Sequence, residues 1–335
     1  MPMHKGHELL FMFASTMCHS VTVTLDQGQP SYVRQSIEQW FHHNQPNTRV
    51  EVITIVPINN YDSAHQVIPW NVSPNGTIID SDFWDIYTKR LENVLETKGI
   101  LRFDAVFSSD MYGAQIADIL GATWIPVDPD RVITNNLSST MIRDNIGQHF
   151  NLISEFQRPY YSKRVAIIGP ESVGKSTLVE KLKDRYKYAA CIPEWGRTIY
   201  EMSGGNLNRD QFAAILYGQD ALVEQMAKTH HLTISDTESL VTSNFYSYWF
   251  PDSAAHRLFH DEAIQLAKKY DLYLVLAPNV PFINDGTRNC DEEWREETFK
   301  KLLWQAKSCV QTVVVDADNY NERFEQAIEA IDRIL

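Results

Sequence analysis

The chain has no apolar run approaching the ~18 residues of a membrane-spanning helix, no internal repeat and no low-complexity tract. Its four cysteines, Cys18, Cys191, Cys290 and Cys309, form no C-x-x-C pair and no cluster with histidine. That pattern argues against a zinc site or a disulfide framework and leaves buried thiols. Positive charge is also scarce: 30 Lys and Arg stand against 43 Asp and Glu, a net charge of −13. Broad attachment to nucleic acid or anionic lipid is therefore not expected, and any phosphate site must be a local pocket. The opening MPMHKGHELLFMFAS carries His and Glu where a signal peptide would run uninterrupted. A cytoplasmic location is expected.

What is present is the balance of a folded protein, with 44% hydrophobic, 22% charged and 11% aromatic residues. A length of 335 residues exceeds one comfortable core and fits two domains. Short β-rich runs alternate with helical patterns throughout, the signature of βα units and parallel sheets, so the fold class is α/β. In the first half the strands fall at 20–25, 49–56, 103–109 and 123–128, with helices near 31–43, 85–99 and 111–120. These define a doubly wound domain over 1–158. The polar, aromatic stretch 157–163 follows, where Pro159 makes a continued helix improbable. A second α/β domain is expected over 163–335, with strands at 164–169, 232–235, 272–277 and 312–317. Its helices are expected from Gly174 onward and at 208–229, 290–308 and 320–334.

Gly169, Pro170, Glu171, Ser172, Val173, Gly174, Lys175, Ser176 and Thr177 spell G-x-x-x-x-G-K-[ST] between an apolar strand and a helix. This is a phosphate-binding P-loop: glycines let main-chain N–H groups turn toward the phosphates, and the helix N-terminus adds positive potential. Lys175 is expected to reach the β/γ oxygens of a nucleoside triphosphate, and Ser176 to ligate Mg²⁺. A second apolar run ends at Asp236 with Glu238 beyond it, where a carboxylate can hold Mg²⁺ through water, take a proton from an acceptor hydroxyl, or simply cap a helix. Glu194 and Arg197 lie three apart at an expected helix start, as ligands of a polyol substrate or as a surface ion pair. Asp285, Gly286 and Arg288 form either a lid whose arginine neutralises phosphoryl charge or an ordinary turn.

At the start, His4, Lys5, Gly6 and His7 gather donors at the head of a helical pattern, with a glycine that lets a phosphate approach. Ser138, Ser139, Thr140 and Arg143 supply a second such group at another expected helix start. These paired motifs resemble the (H/T)-x-G-H and I-S-S-T-x-x-R elements of the nucleotidylyltransferase superfamily. Joined to a P-loop domain, with VDPDR at 127–131, they resemble the NadR-type bifunctional nicotinamide-nucleotide adenylyltransferases and ribosylnicotinamide kinases.

The resemblance implies two reactions with ATP, ribosylnicotinamide, nicotinamide mononucleotide (NMN) and NAD as small-molecule partners. The first domain would join NMN to ATP, with His4 and His7 stabilising transition-state charge and Lys5, Ser139 and Arg143 holding the leaving phosphates. The second would phosphorylate ribosylnicotinamide, using Lys175, Ser176 and Mg²⁺, Asp236 as base or metal partner, and Arg288 as lid cation. Arg34 and Trp40 fall where the first domain can contact substrate, Trp40 either stacking on the nicotinamide ring or lying in the core.

Relatives carry a buried strand before the histidine motif, whereas only Met1, Pro2 and Met3 precede His4 here. The first domain is thus expected to lack its first strand, the natural chain to begin upstream of Met1, and a chain starting at Met1 to be impaired in adenylyl transfer but working as a kinase. No repressor-type DNA-binding segment is expected, and a homo-oligomer is left open. Two other readings stay open: a nucleotidylyltransferase–kinase fusion acting on a different vitamin precursor, and a non-catalytic ATP- and NAD-sensing module.

Overall fold

The computed structural model describes residues 2–26, 28–55, 60–61, 67–68, 81–100, 102–251, 255–280 and 292–335. They divide into two compact units, Met1–Gln157 and Arg158–Leu335. Among the described residues no helix is long and apolar enough to cross a membrane.

In the first unit, α1 (Lys5–Met17), β1 (Ser20–Asp26), α2 (Ser31–Asn44) and β2 (Arg49–Ile55) come first. The short β3 (Asn60–Tyr61) and β4 (Val67–Ile68) precede α3 (Ser81–Thr97), β5 (Ala105–Ser108), α4 (Gly113–Leu120) and β6 (Thr123–Pro126). The unit ends with α5 (Ser139–Asp144), α6 (Ile146–His149) and a 3₁₀ turn at Phe150–Leu152. β1 pairs parallel with β2 and β5 parallel with β6, and among the described residues no strand joins the two pairs. Among the described residues the core has two parts. Met3, Phe11, Leu25, Val33, Ile37, Trp40, Phe41 and Val52 bury one face of β1 and β2 beneath α1 and α2. Ile53, Ile55, Leu91 and Leu95 form the other, with α3.

The second unit runs α7 (Arg158–Tyr161), β7 (Lys163–Ile168), α8 (Lys175–Arg185), β8 (Ala190–Ile192), α9 (Trp195–Met202) and α10 (Arg209–Ala227). It continues β9 (Leu232–Asp236), α11 (Ser239–Trp249), α12 (His256–Ala267), β10 (Leu272–Leu276), α13 (Glu292–Cys309), β11 (Thr312–Val315) and α14 (Tyr320–Asp332). No helix continues through Pro159: residues 153–157 are not helical, and a separate one-turn helix starts at Arg158. Pro159 is the second residue of the one-turn α7, where a missing N–H has no intrahelical partner to lose.

The five strands form one all-parallel sheet in the order β11-β10-β7-β9-β8. β7 is central, and Val165, Ala166, Ile167 and Ile168 are wholly buried because both faces are covered. Val165 and Ile167 pack with α8 and α14, whereas Ala166 and Ile168 pack with α10, α11 and α13. Burial of one such aliphatic side chain contributes about 1.5–3 kcal/mol, so β7 is an anchored platform for the loop that follows it. The chain leaves β7 toward β8 on one side and later returns to β10 on the other. That reversal creates the crevice at the strand C-termini where open α/β sheets take their ligands.

Candidate active sites

The P-loop leaves β7 at this crevice. Gly169 has φ +153°, and a Cβ there would lie 2.8 Å from the Leu276 carbonyl oxygen on the neighbouring strand. Gly174, at φ +87°, begins α8 in a left-handed conformation with its would-be Cβ 2.6 Å from the Tyr320 ring. The two glycines of the motif are thus required both by close approach and by dihedral angle. Lys175 Nζ donates to the carbonyls of Gly169 (3.1 Å) and Pro170 (2.8 Å), so its charge already lies over the loop.

β9 pairs with β7 so that Asp236 stands opposite Ile167, at the same end of the sheet as the loop. The Ser176 hydroxyl donates to Asp236 Oδ2 at 2.6 Å, joining the P-loop serine to the strand-end carboxylate across 60 residues of sequence. Asp236 is 5% exposed, and its Oδ1 is buried without a hydrogen-bond partner. A buried, unsatisfied carboxylate oxygen costs desolvation free energy that a bound cation or water offsets. The helix cap is Glu238 and not Asp236: Glu238 begins α11, with both its oxygens accepting from Leu240 N–H at 2.9 and 2.8 Å. Burial raises the Glu238 pKa above the ordinary carboxylate value.

Next to the loop lies a cleft of roughly 280 Å³. Gly169, Pro170 and Glu171 form one wall, and Asn244, Phe245 and Tyr248 of α11 with Trp294, Glu297 and Lys301 of α13 form others. Sequence reasoning missed these residues: α11 and α13 carry their polar and aromatic groups without a motif spacing, so only the packing of the two helices assembles them. Glu194 and Arg197 form an ion pair at 3.7 Å, Glu194 mostly buried at 18% side-chain exposure and Arg197 exposed. Arg288, Asp285 and Gly286 lie outside the described residues.

In the first unit, His4 is the N-cap of α1. Its Nδ1 accepts from Gly6 N–H (3.1 Å), and His7 Nδ1 accepts from His4 N–H (3.3 Å). Both Nδ1 atoms being acceptors puts the proton of each neutral ring on Nε2. The rings lie 4.0 Å apart between centroids. Burial lowers the pKa to about 3 for His4 and about 4 for His7, and the Arg131 guanidinium lowers both further. Both rings are therefore neutral Nε2–H donors near pH 7.

This segment is held by main-chain contacts. Met3 N–H donates to Gln157 Oε1 (2.6 Å), Ser154 N–H donates to the Met3 carbonyl (2.8 Å), and His4 bridges Ile153. The Ser139 hydroxyl donates to the Pro2 carbonyl at 3.3 Å, which brings the heads of α1 and α5 together. Ser138 caps α5, its hydroxyl accepting from Met141 N–H at 3.1 Å. Arg143 donates to Thr140 Oγ1 at 3.0 Å, and Lys5, Thr140 and Arg143 are exposed. Two sequence expectations are corrected here. Trp40 is a core residue, 6% exposed with its ring against Phe11 and Phe41, so no ring face is left for a nicotinamide. Arg34 pairs with Glu38 one turn along α2 at 3.5 Å, both partly exposed, as a surface ion pair.

A family model described as an AAA domain matches residues 164–323. The NadR protein of Escherichia coli, named a trifunctional NAD biosynthesis/regulator protein, is 26% identical over 347 residues, covering 100% of this chain and 81% of the relative. Its counterpart from Salmonella typhimurium is 26% identical with the same coverage. Over its whole length the chain is thus similar to NadR proteins. Two solved NadR structures share its fold: one in complex with NR (TM-score 0.64, 21% identity, 99% of this chain and 93% of that one) and one with NAD and AMP-PNP (TM-score 0.61, 21% identity, 99% and 92%). The expected two-domain α/β class therefore holds, as does the expected transferase class, and the P-loop lies within the matched AAA domain.

Proposed function

We propose that the second unit transfers the γ-phosphoryl group of ATP to the 5′-hydroxyl of ribosylnicotinamide, and that the first unit joins the resulting NMN to the AMP moiety of a second ATP, giving NAD and pyrophosphate. The observation that carries the kinase reading is the Ser176–Asp236 contact at the mouth of the P-loop, beside a cleft large enough for a nucleoside. Ribosylnicotinamide bears a permanent pyridinium charge. The aromatic faces of Phe245, Tyr248 and Trp294 and the carboxylates Glu171 and Glu297 suit such a cation. The NAD-biosynthesis role of the curated relatives and the NR complex of a relative support the same substrate class.

In this reading Lys175 leaves the Gly169 and Pro170 carbonyls for the β- and γ-phosphate oxygens, exchanging two neutral acceptors for charged ones. The buried, unpartnered Oδ1 of Asp236 and the Ser176 hydroxyl form a hard oxygen pair that fits Mg²⁺, which needs few protein ligands when phosphates and waters supply the rest. When bound, Mg²⁺ would neutralise charge developing on the phosphoryl oxygens. The Ser176 contact favours the metal role of Asp236 over that of a base for the acceptor. Glu194, mostly buried at the head of α9, is left to bind ribose hydroxyls with Arg197.

In the first unit an NMN phosphate oxygen attacks the α-phosphorus of ATP, and the bond to the bridging oxygen of the β-phosphate breaks. His4 and His7 donate through Nε2–H to the phosphates, while Lys5, Ser139 and Arg143 hold the leaving pyrophosphate. No covalent enzyme intermediate is required.

The test is to incubate the chain with ATP, Mg²⁺ and ribosylnicotinamide and to assay NMN and NAD separately, with NMN supplied directly in a second arm. NMN in the first arm supports the kinase, and NAD with pyrophosphate in either arm supports adenylyl transfer. Absence of both products overturns the proposal.

A further inference from the structure

Two arginines outside the P-loop motif hold that loop by its carbonyl groups. Arg323 of α14 is 1% exposed, the largest fully buried side chain among the described residues. Its Nε donates to the Ala317 carbonyl (2.7 Å), Nη1 to the Val173 carbonyl (3.1 Å), and Nη2 to the Ala277 carbonyl (3.0 Å) and to Asn279 Oδ1. Arg295 of α13, 3% exposed, donates from Nε to the Glu171 carbonyl and from Nη2 to the Val280 carbonyl, both at 3.2 Å. The anchored residues Glu171 and Val173 alternate along the loop.

A trans peptide is planar, with its C=O and N–H pointing in opposite directions. Tying the Val173 carbonyl to Arg323 therefore aims the Gly174 N–H the other way, and tying the Glu171 carbonyl to Arg295 does the same for the Ser172 N–H. The two helices thus set the direction of alternate N–H groups across the face that receives phosphate. Charge points to the same conclusion. Arg323 forms no ion pair among the described residues, and its hydrogen-bond partners there are three main-chain carbonyls and an amide oxygen. Burial lowers its pKa, yet a guanidinium stays protonated throughout the working range of a protein. The Asp316 and Asp318 carboxylates act on this cation from outside hydrogen-bond contact, its direct partners are neutral, and an anion held on the far side of the loop would offset more of its desolvation.

We propose that Arg323, assisted by Arg295, is a positioning residue for the triphosphate: it fixes the Val173 carbonyl so that the loop N–H groups face the phosphates, and its charge adds to the potential there. The inference rests on the triphosphate part of the kinase reading and not on the identity of the acceptor.

The test measures binding of Mg²⁺-ATP, inorganic tripolyphosphate and adenosine to the full chain and to its R323Q and R323K variants, together with KM for ATP and for ribosylnicotinamide. R323Q is expected to weaken ATP and tripolyphosphate by the same factor of about tenfold, equivalent to ~1.4 kcal/mol, with adenosine binding and the acceptor KM unchanged. R323K, which keeps the charge but serves fewer carbonyls, should recover part of that loss. A folded R323Q with unaltered tripolyphosphate affinity overturns the proposal, and so does one that weakens adenosine equally. Should R323Q fail to fold, R295Q carries the test with a smaller expected factor, about threefold, because the Arg295 contacts, both at 3.2 Å, are longer than those Arg323 makes to main-chain carbonyls; unaltered tripolyphosphate affinity there also overturns it. If the unaltered chain binds tripolyphosphate but phosphorylates no ribosylnicotinamide, the acceptor reading fails and this inference stands.

Discussion

The P-loop and the histidine motif of this chain are built on different foundations. The P-loop springs from the central strand of a five-stranded sheet whose faces are both covered, and buried side chains from β9, α13 and α14 converge on it. The histidine motif heads α1 and is held by main-chain contacts to Pro2, Met3 and residues 153–157, in a unit whose strands, among the described residues, form three separate pairs. The first arrangement distributes the work of positioning over many buried contacts. In the second, a few hydrogen bonds near one helix end carry it. A local change should therefore stay local in the second unit and spread further in the first.

The sharpest division between the two sites is expected from Lys175→Met. It should lower kcat/KM for phosphorylation by about 10³-fold or more while leaving adenylyl transfer from supplied NMN unchanged, a contrast read by assaying the products separately. Loss of both activities would break the comparison. His7→Ala is the reciprocal change. Removing one Nε2–H donor should cost about 10²–10³-fold in NAD formation, and NMN formation from ribosylnicotinamide should be untouched. Because His7 also accepts the His4 N–H, the unfolding midpoint of the first unit should fall as well, by an amount thermal unfolding can register.

A smaller effect is expected of Gly169→Ala. The new Cβ would meet the Leu276 carbonyl at a main-chain position that few L residues adopt, for a cost of about 1–3 kcal/mol, seen as a lower denaturant midpoint with ATP affinity reduced alongside. Smallest and most specific is a pH effect on the first unit. The folded-state pKa values of His4 and His7 are depressed, so their contribution to stability is fully present above the ordinary histidine value of about 6.5. It is lost as pH falls from there through about 4 and about 3. Thermal unfolding of the first unit should weaken over that window, and a His4→Gln, His7→Gln double variant should flatten the dependence. An equal slope in the variant would trace the effect to other groups.

Much of the layout is legible in the sequence. The runs at 232–235 and 272–277 became β9 and β10, and the long patterns at 208–229 and 320–334 became α10 and α14, because apolar periodicity over many residues reflects a buried face. β8 escaped notice, since three residues, Ala190–Ile192, carry too little pattern to distinguish a strand. α11 and α12 escaped it as well: α11 is buried along most of its length and so lacks the polar stripe that marks a surface helix. The P-loop was readable as nine contiguous residues with their flanks, and the Asp236 carboxylate as the end of an apolar run. Trp40 illustrates the limit. Its spacing on α2 is equally consistent with a binding face and a core face, and only packing against Phe11 and Phe41 decides between them.

By itself the sequence determined the α/β class, the P-loop, and the H-x-G-H and S-S-T-x-x-R motifs taken singly, because each is encoded by residues close together in the chain. Tertiary structure alone decided which distant groups complete those motifs. Asp236 meets Ser176 because β9 lies beside β7, Arg323 reaches Val173 because α14 packs against α8, and the cleft forms where α11 and α13 come together at the loop. Separations of 60 residues and more leave no periodicity to read, since such contacts are set by the order of strands in a sheet and not by spacing along the chain.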